Sequence, residues 1–202
     1  MTTILLVRHG QSTWNLEGRW QGQADPPLTD LGQQQARLAA MSLGATDGIV
    51  ASPLERARHT ASIIGAELGL GPIGIIDDLV ERNVGSWSGL TFAEIEQRWP
   101  GAVAQRRWPA DFEADADVAE RATRALLAIA EYFPGGQAIA VTHGGVLHAL
   151  DTCYGMISEG YPNLSGRVLQ VEGSDIRVTD KLHLAPRSAT TGGQAHRPVQ
   201  AL

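Results

Sequence analysis

Short apolar runs alternate with segments of helical periodicity along most of the chain, and this alternation limits the folds that it can adopt. Four runs have the length of strands: 3–7 (TILLV), 47–52 (DGIVAS), 73–79 (IGIIDDL) and 138–142 (AIAVT). Apolar runs of this kind are typical of strands that are covered on both faces, as in parallel sheets. The order of strands and helices therefore predicts a layered α/β protein with a mainly parallel central sheet.

Helical signals fill the intervals between these runs. Residues 28–44 repeat leucine and alanine at helical spacing and end at Gly44. A second helix is predicted after residue 51, with Ser52 as N-cap, Pro53 at the first helical position and Glu55 completing a capping box. Further helices are predicted at 91–99, which opens with another capping box, at 117–133 and at 143–155.

The sequence after residue 165 falls into two parts. Residues 166–184 alternate between apolar and polar side chains and turn at Gly173 and Ser174, which predicts a closing hairpin and an antiparallel edge of the sheet. From residue 185 onward the sequence is polar and unpatterned, which predicts a disordered tail. The 202 residues are therefore predicted to form one domain at 1–184 and a tail at 185–202.

Composition excludes several classes of partner. The formal net charge is −6 at pH 7, whereas nucleic acids and anionic membranes attract basic surfaces. No apolar stretch approaches the length of a membrane span, and the first residues lack the basic region of a signal peptide. Cys153 is the single cysteine, so we expect a small buried residue in a reducing compartment. These features predict a cytoplasmic protein, in which the sequon at 163–165 has no meaning, and they are compatible with a homo-oligomer.

Charged side chains follow the carboxyl ends of the four predicted strands. The first strand is followed by Arg8 and His9, the second by Arg56, the third by Glu81 and the fourth by His143. Open α/β sheets bind ligands beyond the carboxyl ends of their strands. We therefore expect these five side chains to meet at one rim of the sheet.

Two arginines beside exposed backbone N–H groups describe a site for a tetrahedral dianion such as phosphate. A histidine among those donors is either one more donor or a nucleophile that attacks phosphorus in line and forms a phosphohistidine. Glu81 could then protonate the leaving oxygen and afterwards activate water. Arginines already supply the electrostatic stabilisation in this scheme, so it requires no metal. Gly10 would let the backbone approach the phosphoryl group.

No metal and no nucleotide cofactor are predicted. His143 and His148 are five residues apart, so one helix face does not present both of them as a zinc pair would require. The glycine pattern at 69–74 (GLGPIG) follows a helix and opens a strand, which is the reverse of the dinucleotide-binding fingerprint. The partner that this reasoning leaves is a small phosphate ester.

The stretch LVRHGQSTWN at 6–15 resembles the signature of the histidine phosphatase superfamily, which includes the cofactor-dependent phosphoglycerate mutases. The motifs QGQADPPLTDLGQQQA, ASPLERARHTA, LVERNVGSWSGLT and VTHGGVL agree in order and spacing, so the resemblance covers roughly residues 3–150. It implies a three-layer α/β/α sandwich. It also implies that His9 is phosphorylated, that Arg8, Arg56 and His143 hold the phosphoryl group, and that Glu81 donates the proton. The substrate-binding residues that it implies are Asn15, Gln21, Gly22 and the backbone of Gly144.

Three functions remain open within this resemblance. The interval from Glu81 to His143 is short, and Gly145 stands where the mutases have asparagine, which favours a phosphatase. Arg106 and Arg107 are similar to an arginine pair that mutases use on a substrate carboxylate, although a solvated pair on a helix is the simpler interpretation. Residues 110–117 (ADFEADAD) differ from the GGES-like stretch of many phosphatases, so the substrate is not specified. The third alternative is a non-catalytic phosphate-binding module, but such proteins usually lack the nucleophile or the acid.

Overall fold

The computed structural model describes residues 1–158 and 160–184, whose strands form one mixed sheet. The strands in chain order are β1 (Thr2–Arg8), β2 (Gly48–Ala51), β3 (Gly74–Ile75), β4 (Gln137–Thr142), β5 (Ser165–Glu172) and β6 (Asp175–His183). Their spatial order is β3-β2-β4-β1-β5-β6. The first four strands pair in parallel, whereas β5 and β6 form an antiparallel hairpin beside β1. The predictions of a mainly parallel sheet and of an antiparallel edge are confirmed.

Helices cover both faces of this sheet. The described helices are α1 (Thr13–Glu17), α2 (Asp30–Met41), α3 (Glu55–Leu68), α4 (Phe92–Arg98), α5 (Asp115–Tyr132) and α6 (Gly144–Cys153). Those that pack on the sheet are α2, α3, α5 and α6. Two short 3₁₀ turns lie at Asp77–Leu79 and Gly85–Trp87.

The alternation of side chains along β1 shows how the layers form. Ile4 and Leu6 belong to a core that includes residues of α5 and α6, whereas Leu5 and Val7 belong to a core with residues of α2 and α3. Successive side chains of a strand point to opposite faces of the sheet, so β1 is buried on both sides. The fold is therefore the three-layer α/β/α sandwich that the sequence predicted.

The start of α3 differs from the prediction. The helix begins at Glu55, its N-cap is Leu54, and no side chain of the cap bonds the first turn. Instead, the carboxylate of Asp25 accepts the Glu55 N–H at 2.8 Å, so that a distant loop caps the helix. The hydroxyl of Ser52 accepts the N–H of Leu54 (3.3 Å) and pairs with the ring of His143 (2.7 Å). Ser52 is thus a contact of the candidate site rather than the predicted N-cap.

Other local predictions were confirmed in part. The capping box of Thr91 and Glu94 is present, and the hairpin turns at Gly173, which has a positive φ of 58°. The third strand is shorter than predicted, because residues 77–79 turn into a 3₁₀ segment that buries Leu79. Cys153 is exposed at the end of α6, so the expectation of a buried thiol was wrong. The predicted tail at 185–202 lies outside the described residues.

Within residues 1–158 and 160–184, no helix is both long enough and apolar enough to cross a membrane.

Candidate active site

The nucleophile candidate, His9, lies directly after β1 and is 1% exposed. Its backbone N–H donates to Thr142 at the end of β4 (3.0 Å), so the neighbouring strand fixes its position. The ring nitrogen Nδ1 lies 2.6 Å from the carbonyl oxygen of Gly10. A carbonyl oxygen only accepts hydrogen bonds, so this contact places the ring proton on Nδ1 and leaves a lone pair on Nε2.

Gly10, the residue after His9, lies against the backbone of α2. A Cβ at this position would lie 2.5 Å from the carbonyl oxygen of Gly32 in α2. The N–H of Gly10 donates to the hydroxyl of Thr60 (3.0 Å). Glycine is thus required because two backbones meet here. That Gly10 also lets the backbone approach a phosphoryl group stays a prediction.

Arg56 lies in the first turn of α3, where it is completely buried. Its Nε donates to Nε2 of His9 (3.2 Å), while its other nitrogens donate to the carbonyl oxygens of Gly22 (2.9 Å) and Ala24 (2.6 Å). Burial lowers the pKa of Arg56 to about 10, against the opposing effect of Glu81 and Asp25. The guanidinium therefore still carries its charge at neutral pH.

His143 is the N-cap residue of α6 and is also completely buried. Its ring centroid lies 5.2 Å from that of His9, at an interplanar angle of 60°. Nε2 pairs with the hydroxyl of Ser52, whereas Nδ1 is a buried atom without a hydrogen-bond partner in the described chain.

Burial and neighbouring cations keep both imidazoles neutral. Burial, followed by the charges of Arg56 and Arg8, holds the pKa of His9 well below its ordinary value of 6.5. Burial, then Arg56 and His9, has the same effect on the pKa of His143. Burial likewise lowers the pKa of the Arg8 guanidinium, while Glu81 acts in the opposite direction.

The carboxylate of Glu81 is held by two backbone donors. Its Oε1 accepts the N–H of Arg82 (2.7 Å), and its Oε2 accepts the N–H of Gly145 at the start of α6 (3.2 Å). A Cβ at position 145 would lie 2.5 Å from Oε1 and 3.1 Å from the Cβ of Arg82. Glycine at 145 is therefore a condition for this placement of the carboxylate.

A cavity lies at the carboxyl edge of the sheet and is lined by several of the predicted site residues. The predicted site residues that line it are Arg8, His9, Gln21, Gly22, Glu81 and Gly144. The remaining wall is mostly apolar and consists of Trp20, Arg82, Val84, Phe112 and Gly145. The aromatic part of the wall is rigid, since Trp20 packs edge-on against Trp87 (5.4 Å between centroids) and Phe112 stacks on Trp108 (4.9 Å).

Five predicted residues do not belong to the cavity lining. Two of them, Arg56 and His143, are buried next to His9. The other three are Asn15, Arg106 and Arg107. Asn15 lies in α1, where its Oδ1 accepts the N–H of Ser12 (3.1 Å). Arg106 and Arg107 do not line the cavity, and Arg107 bonds Gln105 (2.9 Å) and the carbonyl oxygen of Pro100 (2.9 Å). Both arginines are exposed and lie in the loop after α4 rather than on a helix.

Among the residues at the site that sequence reasoning missed, Arg82 and Asn163 make several polar contacts. Arg82 is 5% exposed, bonds the carboxylate of Asp115 and lies 5.3 Å above the ring of Phe112. Its adjacency to Glu81 in the motif was a signal that could have found it. Asn163 bonds the carbonyl oxygen of His9 (2.9 Å), although the sequence offered only a sequon at this position.

The described residues contain no group of three or more histidine, cysteine or carboxylate side chains that could hold a metal ion.

Comparison with known proteins agrees with this geometry. The model of the histidine phosphatase superfamily (branch 1) matches residues 4–165. An uncharacterised phosphatase, PhoE of Bacillus subtilis, is 37% identical over 184 residues, which are 90% of this chain and 91% of the relative. A metal-independent phosphoserine phosphatase of Arabidopsis thaliana is 38% identical over 160 residues, covering 74% of this chain and 67% of the relative.

Among solved structures, a mycobacterial glucosyl-3-phosphoglycerate phosphatase in complex with VO3 superposes with a TM-score of 0.80 at 30% identity. The match covers 91% of this chain and 99% of the mycobacterial one.

Proposed function

The chain belongs to branch 1 of the histidine phosphatase superfamily and is a phosphatase, and we propose that it cleaves small phosphate monoesters through a phosphohistidine at His9, without a metal ion. The observation that carries the proposal is the hydrogen bond from Nδ1 of His9 to Gly10 O, since it leaves Nε2 unprotonated. A neutral imidazole nitrogen beside two arginines is the arrangement that attack on a phosphoryl dianion requires.

In the first step, Nε2 of His9 forms a bond to phosphorus as the ester P–O bond breaks. The Nε–H of Arg56, which donates to Nε2 of His9 in the free protein, donates to a phosphoryl oxygen instead, and Arg8 binds a second phosphoryl oxygen. In the tautomer in which Ser52 donates to Nε2 of His143, the unpartnered Nδ1 carries the proton and is a further donor to the phosphoryl group. The N–H of Gly144, at the start of α6, adds a backbone donor.

Glu81 handles the proton in both steps. Its protonated form gives a proton to the leaving oxygen, so that a neutral alcohol departs. The resulting carboxylate then removes a proton from the water that attacks phosphorus, and the P–N bond breaks. Inorganic phosphate leaves, and His9 and Glu81 return to their starting forms.

The composition of the cavity supports a phosphatase rather than a mutase. Arg106 and Arg107, the pair that would bind a substrate carboxylate in a mutase, do not line it. Arg82 does line it, but this side chain is bound to Asp115. The leaving group therefore meets the apolar surface of Trp20, Val84 and Phe112.

Rapid-quench labelling would test the covalent step. A phosphate ester labelled at phosphorus should leave an acid-labile, alkali-stable label on the wild type and none on His9→Ala. His59→Ala, which changes a histidine of α3 outside the cavity, is the matched control and should label normally. We expect His9→Ala to lose several orders of magnitude in kcat, as removal of a covalent nucleophile does. A His9→Ala protein that keeps a tenth of the wild-type rate would exclude the phosphohistidine.

A further inference from the structure

Residues 160–164, called the crossing segment below, lie between α6 and β5 and contact the end of β1. The N–H of Leu164 donates to the carbonyl oxygen of Arg8 (3.1 Å). The side chain of Arg8 returns a bond, because its Nη1 donates to the carbonyl oxygen of Tyr161. The main chain of the crossing segment is thus tied to both ends of one phosphate-binding candidate.

The side chain of Asn163 contacts two more residues of the same rim. Its Nδ2 donates to the carbonyl oxygen of His9 (2.9 Å) and to Oδ1 of Asn15 (3.3 Å). The carbonyl oxygen of His9 can only accept, so Asn163 has to present its NH₂ group rather than its oxygen here. The bond to His9 therefore decides which way the Asn163 amide faces.

Asn163, together with the N–H of Ser12, sets the orientation of the Asn15 amide. Oδ1 of Asn15 accepts from Nδ2 of Asn163 and from the N–H of Ser12 (3.1 Å). If the Asn15 amide were reversed, its NH₂ group would face two donors. The other atom, Nδ2 of Asn15, is buried and has no hydrogen-bond partner in the described chain. A buried donor without a partner is costly, and a ligand is a common explanation for one that persists.

A buried cluster anchors the crossing segment behind the site. The hydroxyl of Tyr161 donates to Asp151 of α6 (2.6 Å) and accepts from Nε of Arg167 in β5 (2.7 Å). Arg167 also donates to both carboxylate oxygens of Asp151, at 2.9 and 3.0 Å. Burial first, and then the bond to Asp151, raise the pKa of Tyr161, so its hydroxyl remains a donor at neutral pH. The crossing segment therefore has one position relative to α6 and β5.

We propose that Asn163 is a positioning residue for phosphoryl transfer: it fixes the amide of Asn15 so that Nδ2 of Asn15 donates to the phosphoryl group. The inference rests on the proposed function, because it assigns Asn15 to the ligand of that same site. Asn163 itself does not touch the reacting atoms.

Single variants separate this role from a general loosening of the segment. Asn163→Ala should lower the rate of phosphoenzyme formation by about 10- to 100-fold, the range expected when a binding group loses its alignment. Asn163→Asp keeps the shape of the side chain but cannot donate, and it should show a loss at least as large. Ser165→Ala is the matched control, since within residues 1–158 and 160–184 its hydroxyl bonds only the carbonyl oxygen of Pro162 (2.7 Å). It should retain the rate within about twofold, the effect expected of removing a hydrogen bond that does not reach the site.

A double-mutant cycle tests the route through Asn15. In an Asn15→Ala background, the loss from Asn163→Ala should shrink to less than about threefold, because the group that it aligns is gone. Equal losses in both backgrounds would overturn the proposal, and so would a wild-type rate in Asn163→Asp. Melting temperatures of all variants show whether they are folded, and if Asn163→Ala is not, the Asp variant completes the same cycle.

The same measurements distinguish a failure of the proposed function from a failure of the positioning role of Asn163. If the wild type forms no phosphoenzyme from p-nitrophenyl phosphate, the mechanism at His9 is wrong, whatever Asn163 does. If the wild type forms it and Asn163 variants do so equally fast, only the positioning role is wrong.

Discussion

Replacing Gly145 by alanine should separate activity from stability in this protein. The new Cβ would lie 2.5 Å from Oε1 of Glu81, whereas ordinary van der Waals contacts begin near 3.4 Å. The carboxylate must therefore move by about 1 Å, and displacements of that size in a reacting group cost about 100-fold in rate. This loss corresponds to about 2.7 kcal/mol of transition-state stabilisation.

The free energy of unfolding, in contrast to the activity, should change little or increase in Gly145→Ala. Position 145 lies in the first turn of α6, and alanine is favoured over glycine inside a helix by roughly 0.5–1 kcal/mol. The neighbour that resists is the far end of a flexible glutamate, which can rotate away, together with the Cβ of Arg82 at 3.1 Å. We expect a melting temperature equal to or above that of the wild type.

The assay compares Gly145→Ala with Gly144→Ala in kcat/KM and in urea unfolding. A Cβ at Gly144 would lie 3.7 Å from Nε of Arg8, which is an ordinary contact, so this variant should lose less than about tenfold. The reasoning is refuted if Gly145→Ala keeps kcat/KM within threefold of the wild type, or if Gly144→Ala proves the more damaging change.

Glu81→Gln should slow phosphoenzyme formation from an alkyl phosphate far more than from p-nitrophenyl phosphate, because nitrophenolate departs without a proton. Equal losses in burst kinetics would leave Glu81 a positioning role only. EDTA should not affect turnover if arginines supply the charge, and a loss that Mg²⁺ restores would contradict this. The pKa values of His9 and His143 are lowered in the fold, so the unfolded chain takes up more protons as the pH falls below about 6.5. The free energy of unfolding should then fall by up to about 1.4 kcal/mol per pH unit for each histidine as the pH falls. The slope should be shallower in His143→Gln. A free energy of unfolding that does not change between pH 7 and 5.5 would contradict this prediction.

The position of the candidate site could be predicted because it depends on strand ends. A polar residue directly after a buried strand must emerge at the carboxyl edge of the sheet, and parallel strands bring their carboxyl ends to the same edge. The structure accordingly places Nε of Arg56 3.2 Å from Nε2 of His9. The ring centroids of His9 and His143 are 5.2 Å apart, although these residues are far apart in sequence. Local patterns and one rule of topology were sufficient for this part.

Contacts between distant segments could not be predicted in the same way. The pattern at Ser52 describes a helix start, but the hydroxyl bonds His143, which belongs to a strand end 91 residues away. Gly10 sits in a motif, yet the atom that requires glycine is the carbonyl oxygen of Gly32. Asn163 contacts His9 only because β5 pairs with β1, and strand order across a sheet leaves no local signal.

The placement of β1 has a consequence for how the protein is made. This strand is among the first parts of the chain to be synthesised, but its two neighbours are β4, from residue 137, and β5, from residue 165. At roughly 5–20 residues per second, the ribosome needs on the order of 10 s after His9 before either neighbour exists. During that interval β1 has no pairing partner, and its apolar residues are open to chaperones and to other nascent chains. Pairing over such long separations is also intrinsically slow. The candidate nucleophile His9 is therefore translated early, and its site is complete only late, once the chain has been synthesised beyond β5.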